Sequence, residues 1–260
     1  DAGSTCTIEV NGPVRAVVKC TFDHEGGSGN VYMHGAARYH FTKGRSDVRV
    51  VAILRHTDNG SSNTLATAFK GHKGWELRIT PNISGTLNYS IARHNGNEAG
   101  TVASTDAIRL YQAQSTLLKV SSLTYCTGAA GCVPYTDDEG YQIVKTVSGS
   151  PSILASGDKT QHPRGWMDIS NSSGAGVSLG SYLLAATHQK SLEWNNGQAR
   201  IGLWTPHNGW DSTYTAYYQA WPQHSIQEAW LNFHASAPSS PQNDFLKSQH
   251  SLVGRASVAH

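Results

Sequence analysis

Apolar and polar positions alternate along this chain in short runs, and the runs read as strands. Val48, Val50, Ala52 and Leu54 alternate with Arg49, Val51, Ile53 and Arg55, which gives a strand with one solidly apolar face. Ala199, Ile201 and Leu203 alternate in the same way with Arg200, Gly202 and Trp204,. Turn residues separate such runs: Asn11-Gly12-Pro13, Lys43-Gly44-Arg45-Ser46, Asp58 to Asn63 and Asn195-Asn196-Gly197,. The pattern predicts two strands within 6–24, then strands over 31–43, 47–57, 75–79, 87–93, 139–147, 199–204 and 226–233. The run 101–122 mixes helical spacing at Ile108, Tyr111 and Leu118 with the strand formers Thr116 and Val120, and it is read as strand. One helix signal stands near the end. Ser239-Ser240-Pro241 starts it, and Phe245, Leu246, Leu252 and Val253 line one side before Gly254,. No repeat or heptad intervenes. The expectation is an all-β fold of sandwich or barrel-like domains with a short C-terminal helix. Residues 148–165 are rich in Ser, Gly and Pro. They suggest a boundary between a first β domain, 1–150, and a second, 151–260, that holds an aromatic cluster and the helix.

The rest of the chain is arranged around residues 163–207, which hold three of the seven tryptophans: Trp166, Trp194 and Trp204. A second aromatic run follows with Trp210, Tyr214, Tyr217, Tyr218 and Trp221. Two readings stand side by side. In the first, these rings fill a core hairpin or a subunit contact. In the second, Trp194, Trp204, His207, Trp210, Tyr214, Tyr217, Tyr218 and Trp221 line a carbohydrate-binding surface. Apolar C–H faces of a sugar would stack on the rings, and Asn208, Asp211 and Gln219 would bond its hydroxyls.

The same stretch carries a family resemblance. A run ending in LEW, an Asn-Gly turn and then ARIGLWTPH resembles the second β domain of the exo-rhamnogalacturonan lyase-like (YetA-like) proteins. IEVNGPVRAVVKCTF, RYHFTKGRSDVRVVAILRHTDN and HSIQEAWLNFH agree with that family in order. The resemblance skips about residues 96–162. It implies N-terminal β domains that precede a helical toroid in which the lyase chemistry is expected. This chain stops before any such toroid, so no catalytic residue is carried over.

Composition narrows the partners. Charged residues make up 15% of the chain and the net charge is +2 with neutral histidines. A typical soluble domain is about 25% charged. Such a surface gives no electrostatic case for nucleic acid or an anionic membrane. It favours a polysaccharide, or copies of the chain itself, as partner. No apolar run approaches the ~20 residues needed to span a bilayer. Cys6 and Cys20 flank one turn, and Cys126 and Cys132 enclose another small loop. Local disulfides 6–20 and 126–132 are expected, and with them an oxidising, extracellular setting. The start at Asp1 reads as a mature or excised segment whose export signal is inferred. Asn59, Asn82, Asn88 and Asn171 lie in N-x-S/T sequons,.

Candidate chemistry is sparse. Thirteen histidines include no HExxH or other tight ligand pattern, so no metal site is expected. Asp137, Asp138 and Glu139 form an oxygen-rich cluster of a kind that suits Ca²⁺, without the alternating spacing of a Ca²⁺ loop,. Otherwise no cofactor is implied. Tyr39, His40, Lys43 and Arg45 are close in sequence and of types a uronate lyase uses, but they alternate between faces,. No GxSxG elbow or glycine-rich phosphate loop is present. The expected function is a non-catalytic, secreted β module, structural and self-assembling or polysaccharide-associated. The alternative is the front part of a polysaccharide lyase acting on rhamnogalacturonan-type glycans. For self-assembly, Asp1–Thr5 is expected to lie as an added strand on a neighbour's open sheet edge.

Overall fold

A computed structural model describes residues 2–25, 31–56, 69–72, 74–116, 136–158, 160–182, 184, 190–204, 217–220 and 224–246. The strands of its first half are β1 (Ala2–Asn11), β2 (Arg15–Glu25), β3 (Val31–Thr42), β4 (Asp47–His56), β5 (Phe69–His72), β6 (Trp75–Ile79), β7 (Thr86–Ala92), β8 (Asn97–Ala103) and β9 (Ala107–Thr116). Those of the second half are β10 (Thr136–Val147), β11 (Ser150–Gly157), β12 (Trp166–Ser170), β13 (Gly176–Ser181), β14 (Ser191–Asn195), β15 (Gln198–Trp204), β16 (Tyr217–Ala220) and β17 (His224–His234). One helix, α1, covers 241–246. The all-β expectation with a short C-terminal helix therefore holds.

The chain forms two compact units, each assembled from separated stretches. Asp1–Trp75, Gln114–Asp138 and Pro206–Glu228 make the first, and Glu76–Ala113, Glu139–Thr205 and Ala229–His260 the second. Residues 148–165 lie wholly inside the second unit. Val147 pairs with Ser150 across a two-residue turn in which Ser148 (φ 48°) and Gly149 (φ 83°) are both left-handed. That is the hairpin turn whose twist matches flanking strands. The Ser/Gly stretch thus opens with a hairpin turn between β10 and β11.

In the first unit β1, β2, β3 and β4 form an antiparallel meander, with the opening of β17 beyond β4. Cys6 stands directly opposite Cys20, and the two are joined by a disulfide. Cys126 and Cys132 lie outside the described residues. Ala2 and Thr5 pair with Asp23 and Thr21 of the chain's own β2, so the N-terminal segment is part of its own sheet edge, not a loose arm. One sheet face is apolar. Met33, Ala37, Val48, Val50, Ala52 and Leu54 are buried there, as the alternation of β4 predicts.

The second unit is a β-sandwich. One sheet runs β17-β13-β12-β7-β8, and the other β11-β10-β9-β14-β15-β6. β13 lies against β14 and β15, and β12 against β14. Ile108, Leu110, Leu192, Trp194, Ala199 and Ile201 face Met167, Ile169, Val177 and Leu179 with no exposed surface. Fully burying each large apolar side chain contributes about 1.5–3 kcal/mol before entropy is counted. A second cluster lies on the far face of the first sheet, where Phe245 of α1 meets Trp166, Tyr182 and Trp230. Ser240 begins that helix, its hydroxyl accepting from the Asn243 N–H,. Gly180 leaves room for the Phe245 ring, which a Cβ would meet at 2.5 Å.

Candidate functional site

β14 sits between β9 and β15. Leu192 and Trp194 point into the sandwich, so Ser191, Glu193 and Asn195 stand on the opposite face,. The register sets Arg109 and Tyr111 of β9 beside them on one side, and Gln198 and Arg200 of β15 on the other. The result is a cross-strand row, Arg109–Glu193–Arg200, on the side of the sheet away from the apolar core. Glu193 is only 3% exposed. A buried carboxylate needs partners, and it has them: Oε1 accepts from Arg109 Nη2 at 2.9 Å and from Asn195 Nδ2 at 2.7 Å.

Around that row lie further polar groups. The Tyr111 hydroxyl donates to Gln142 Oε1 at 2.8 Å. Burial pushes the Tyr111 phenol up, with Arg109 pulling the other way, so it stays a neutral donor near neutral pH. Arg200 Nη2 donates to Gln198 Oε1 at 2.9 Å. Among the described residues no carboxylate is hydrogen-bonded to Arg200, and its Nε is buried without a partner. A guanidinium carries five donors, and among the described residues Gln198 is the one side-chain acceptor bonded to that of Arg200. The face thus offers fixed amide, phenol and guanidinium groups suited to hydroxyl recognition. Among the described residues it holds no nucleophile bonded to a base.

One other polar trio shares residue types with a hydrolase site. Ser178 Oγ donates to Asp168 Oδ1 at 2.6 Å, and His234 Nε2 lies 3.0 Å from the same oxygen. His234 Nδ1 faces the Gly174 carbonyl at 2.9 Å. Serine and histidine therefore share the aspartate and do not bond each other, which leaves Ser178 without a histidine base. Burial alone would lower the His234 pKa, but the bond to Asp168, its charge and the backbone carbonyls outweigh it and raise the value.

Sequence-predicted site residues fall in different places. Trp194 is a core residue with 0% exposure, its indole N–H donating to the Ser104 carbonyl at 3.1 Å. It fills space between the sheets, and its ring is closed to a sugar. Trp204 ends β15, and Tyr217 and Tyr218 open β16, which pairs with β5. His207, Trp210, Tyr214 and Trp221 lie outside the described residues. Asp137, Asp138 and Glu139 fall on β10 instead of a turn. Among the described residues no group of three or more His, Cys, Asp or Glu is placed to hold a metal ion. Arg109, Tyr111, Glu193 and Arg200 belong to no motif in the sequence. The Glu193–Arg200 pair was legible by counting back from Asn196-Gly197 through the hairpin. Arg109 was not, because β9 meets β14 across a long sequence separation.

No family model matches the chain, so the resemblance to the exo-rhamnogalacturonan lyase-like proteins rests on the quoted residues alone. No curated protein matches it either. Among solved structures, the α-galactosidase from Lactobacillus brevis is similar at 9% identity and TM-score 0.44, over 92% of this chain and 27% of that one. The galactosidase domain of the α-galactosidase–sucrose kinase AgaSK is similar at 9% identity and TM-score 0.43, over 90% and 27%. A galactose 1-epimerase from Lactobacillus acidophilus NCFM is similar at 8% identity and TM-score 0.39, over 89% and 66%. The chain spans about a quarter of the length of the two galactosidase structures.

Proposed function

We propose that the chain is a secreted, non-catalytic β module that binds carbohydrate on the polar face of β9, β14 and β15. The observation that carries this reading is the row Arg109–Glu193–Arg200. It is held in fixed geometry on the side of a sheet where a soluble sandwich needs only solvated residues. Fixed polar groups aimed at hydroxyls provide orientation in sugar sites. The aromatic run 204–221 remains the proposed source of stacking surface, with Trp204, His207, Trp210, Tyr214, Tyr217, Tyr218 and Trp221 as its members. Calorimetric titration with neutral gluco-, galacto- and manno-oligosaccharides tests the reading. The native chain should bind at least one class, and Arg200→Ala should weaken that binding at least about tenfold while the melting temperature stays within a few degrees. Equal binding by the variant, or no binding by the native chain, would contradict it.

A second reading is self-assembly through sheet edges. β11 is an edge strand of eight residues with no charged side chain, and Ile153 and Leu154 are exposed on it. Natural edges are usually guarded by charge. Light scattering at rising concentration tests this reading, with Ile153→Lys expected to abolish any association. A native chain that stays monomeric throughout would sink it. The further alternative, the front of a polysaccharide lyase, predicts an ultraviolet-absorbing unsaturated product on pectic polysaccharides.

A further inference from the structure

The first unit's sheet has a second face, opposite its apolar one. Register places His40 across from Val17 and Arg49, and Arg38 across from Lys19 and Val51. Arg15 joins them by donating from Nη2 to His40 Nδ1 at 3.2 Å. Around His40, the four cations Arg15, Lys19, Arg38 and Arg49 share that face with the carboxylates of Glu9 and Glu228, and farther along the same face Asp23 bonds His34, with Arg55 across from it. Arg38 holds Glu9 with two bonds, of 2.7 and 3.0 Å, and Arg49 holds Glu228 with two of 3.0 and 2.7 Å. Arg15 and Lys19 are hydrogen-bonded to no carboxylate among the described residues. This surplus of positive charge is concentrated here, in a chain whose net charge is only +2.

The imidazole records that surplus. A guanidinium can only donate, so His40 Nδ1 accepts and the ring is neutral. Burial, then Arg15 and Arg49, push the His40 pKa down, with Glu228 opposing them and Arg38 adding to them. Its Nε2 has no hydrogen-bond partner among the described residues.

We infer that this face binds the anionic groups, carboxylate or sulfate, of an acidic polysaccharide. Guanidinium and ammonium groups match planar and tetrahedral oxyanions, and Arg15 and Lys19, on one face of β2, are the cations around His40 that hydrogen-bond to no carboxylate among the described residues. Nucleic acid fits less well. Tyr39 and Phe41 alternate onto the same side as the buried Val48 and Val50, so neither lies on the basic face to stack a base. The inference rests on the reading of the chain as a glycan-associated module, but it uses a different unit and different residues.

Titration of the full chain with polygalacturonate, dextran sulfate, neutral dextran and a single-stranded DNA oligomer tests it. Histidine ring signals are followed by NMR at low ionic strength. Polygalacturonate or dextran sulfate should bind, and which of them binds identifies the anion. Added salt should weaken binding, and the His40 pKa should rise as anions offset the cations around it. Arg15→Gln with Lys19→Gln should lower that affinity about tenfold, and Arg200→Ala in the second unit should not change it. Retained polymer binding alongside lost oligosaccharide binding would separate this site from the polar face of the sandwich. Failure of both anionic polymers, unchanged affinity in the double variant, an unmoved His40 pKa, or equally tight DNA binding would each overturn the inference.

Discussion

Each unit holds a histidine on the outer face of a sheet, and the two are put to opposite use. His40 in the first unit lies among Arg15, Arg38 and Arg49, and burial and those cations keep it neutral. His234 in the second unit lies between Asp168 and the Gly174 carbonyl, two acceptors that together call for protons on both ring nitrogens,. The same residue type is thus a spectator of positive charge in one place and a charged clasp in the other. What differs is the supply of acceptors. The basic face has its carboxylates engaged by Arg38 and Arg49, whereas Asp168 is nearly buried and accepts from both Ser178 and His234. A surface whose cations outnumber its acceptors is available to an incoming anion, and one whose groups are mutually satisfied is structural.

The largest effect that separates the units is in the core. Trp194→Ala should destabilise the sandwich by about 3–5 kcal/mol, read as a lowered denaturant midpoint. If instead stability were unchanged and glycan binding lost, Trp194 would be a platform after all. Next is the disulfide. Reducing Cys6–Cys20, separated by 14 positions, should cost the first unit about 3 kcal/mol. Hydrogen exchange should then quicken in β1 and β2 while β12 and β13 keep their protection. Equal loss in both units would mean that they unfold as one.

The histidines give smaller effects of opposite sign. The folded-state pKa of His234 is raised, so its contribution is complete below the ordinary value near 6.5. It is lost as pH climbs through the raised value, at about 1.5–3 kcal/mol for a charge-assisted hydrogen bond. His40 is depressed, so its contribution is present above 6.5 and fades as pH falls from there through its folded value. Stability profiles of His234→Gln and His40→Gln should therefore flatten on opposite sides of pH 6.5. Matching profiles would contradict the contrast. Smallest is Glu228→Gln on the half-exposed Arg49 pair. It should cost under about 1 kcal/mol and lose even that in high salt.

How far this contrast was legible depended on the kind of strand. β4 and β15 bury one face, so their alternation announced them, and Asn196-Gly197 fixed the hairpin register of β14 and β15 by its left-handed pair. β12 and β13 are buried on both faces, so they show no alternation to read. β8 (NEAGTVA) and β11 (SPSILASG) have too few apolar residues to signal a strand. Pairings such as β7 with β12 and β9 with β14 join distant segments, and local pattern says nothing about them. Glu193 therefore carries no signal in the sequence, whereas its neighbour Trp194 does. A tryptophan is conspicuous in sequence wherever it points, whereas a glutamate becomes informative only once its neighbours on other strands are known.

The central claim is that the polar face of β9, β14 and β15 contacts a glycan. Backbone amide shifts of the isotopically labelled chain, mapped during titration with a neutral oligosaccharide that binds, test it most directly. The account predicts that the largest changes cluster at Arg109, Tyr111, Gln142, Gln198 and Arg200, with little change across β12 and β13. Changes confined to other strands, with those five residues silent at saturation, would contradict it.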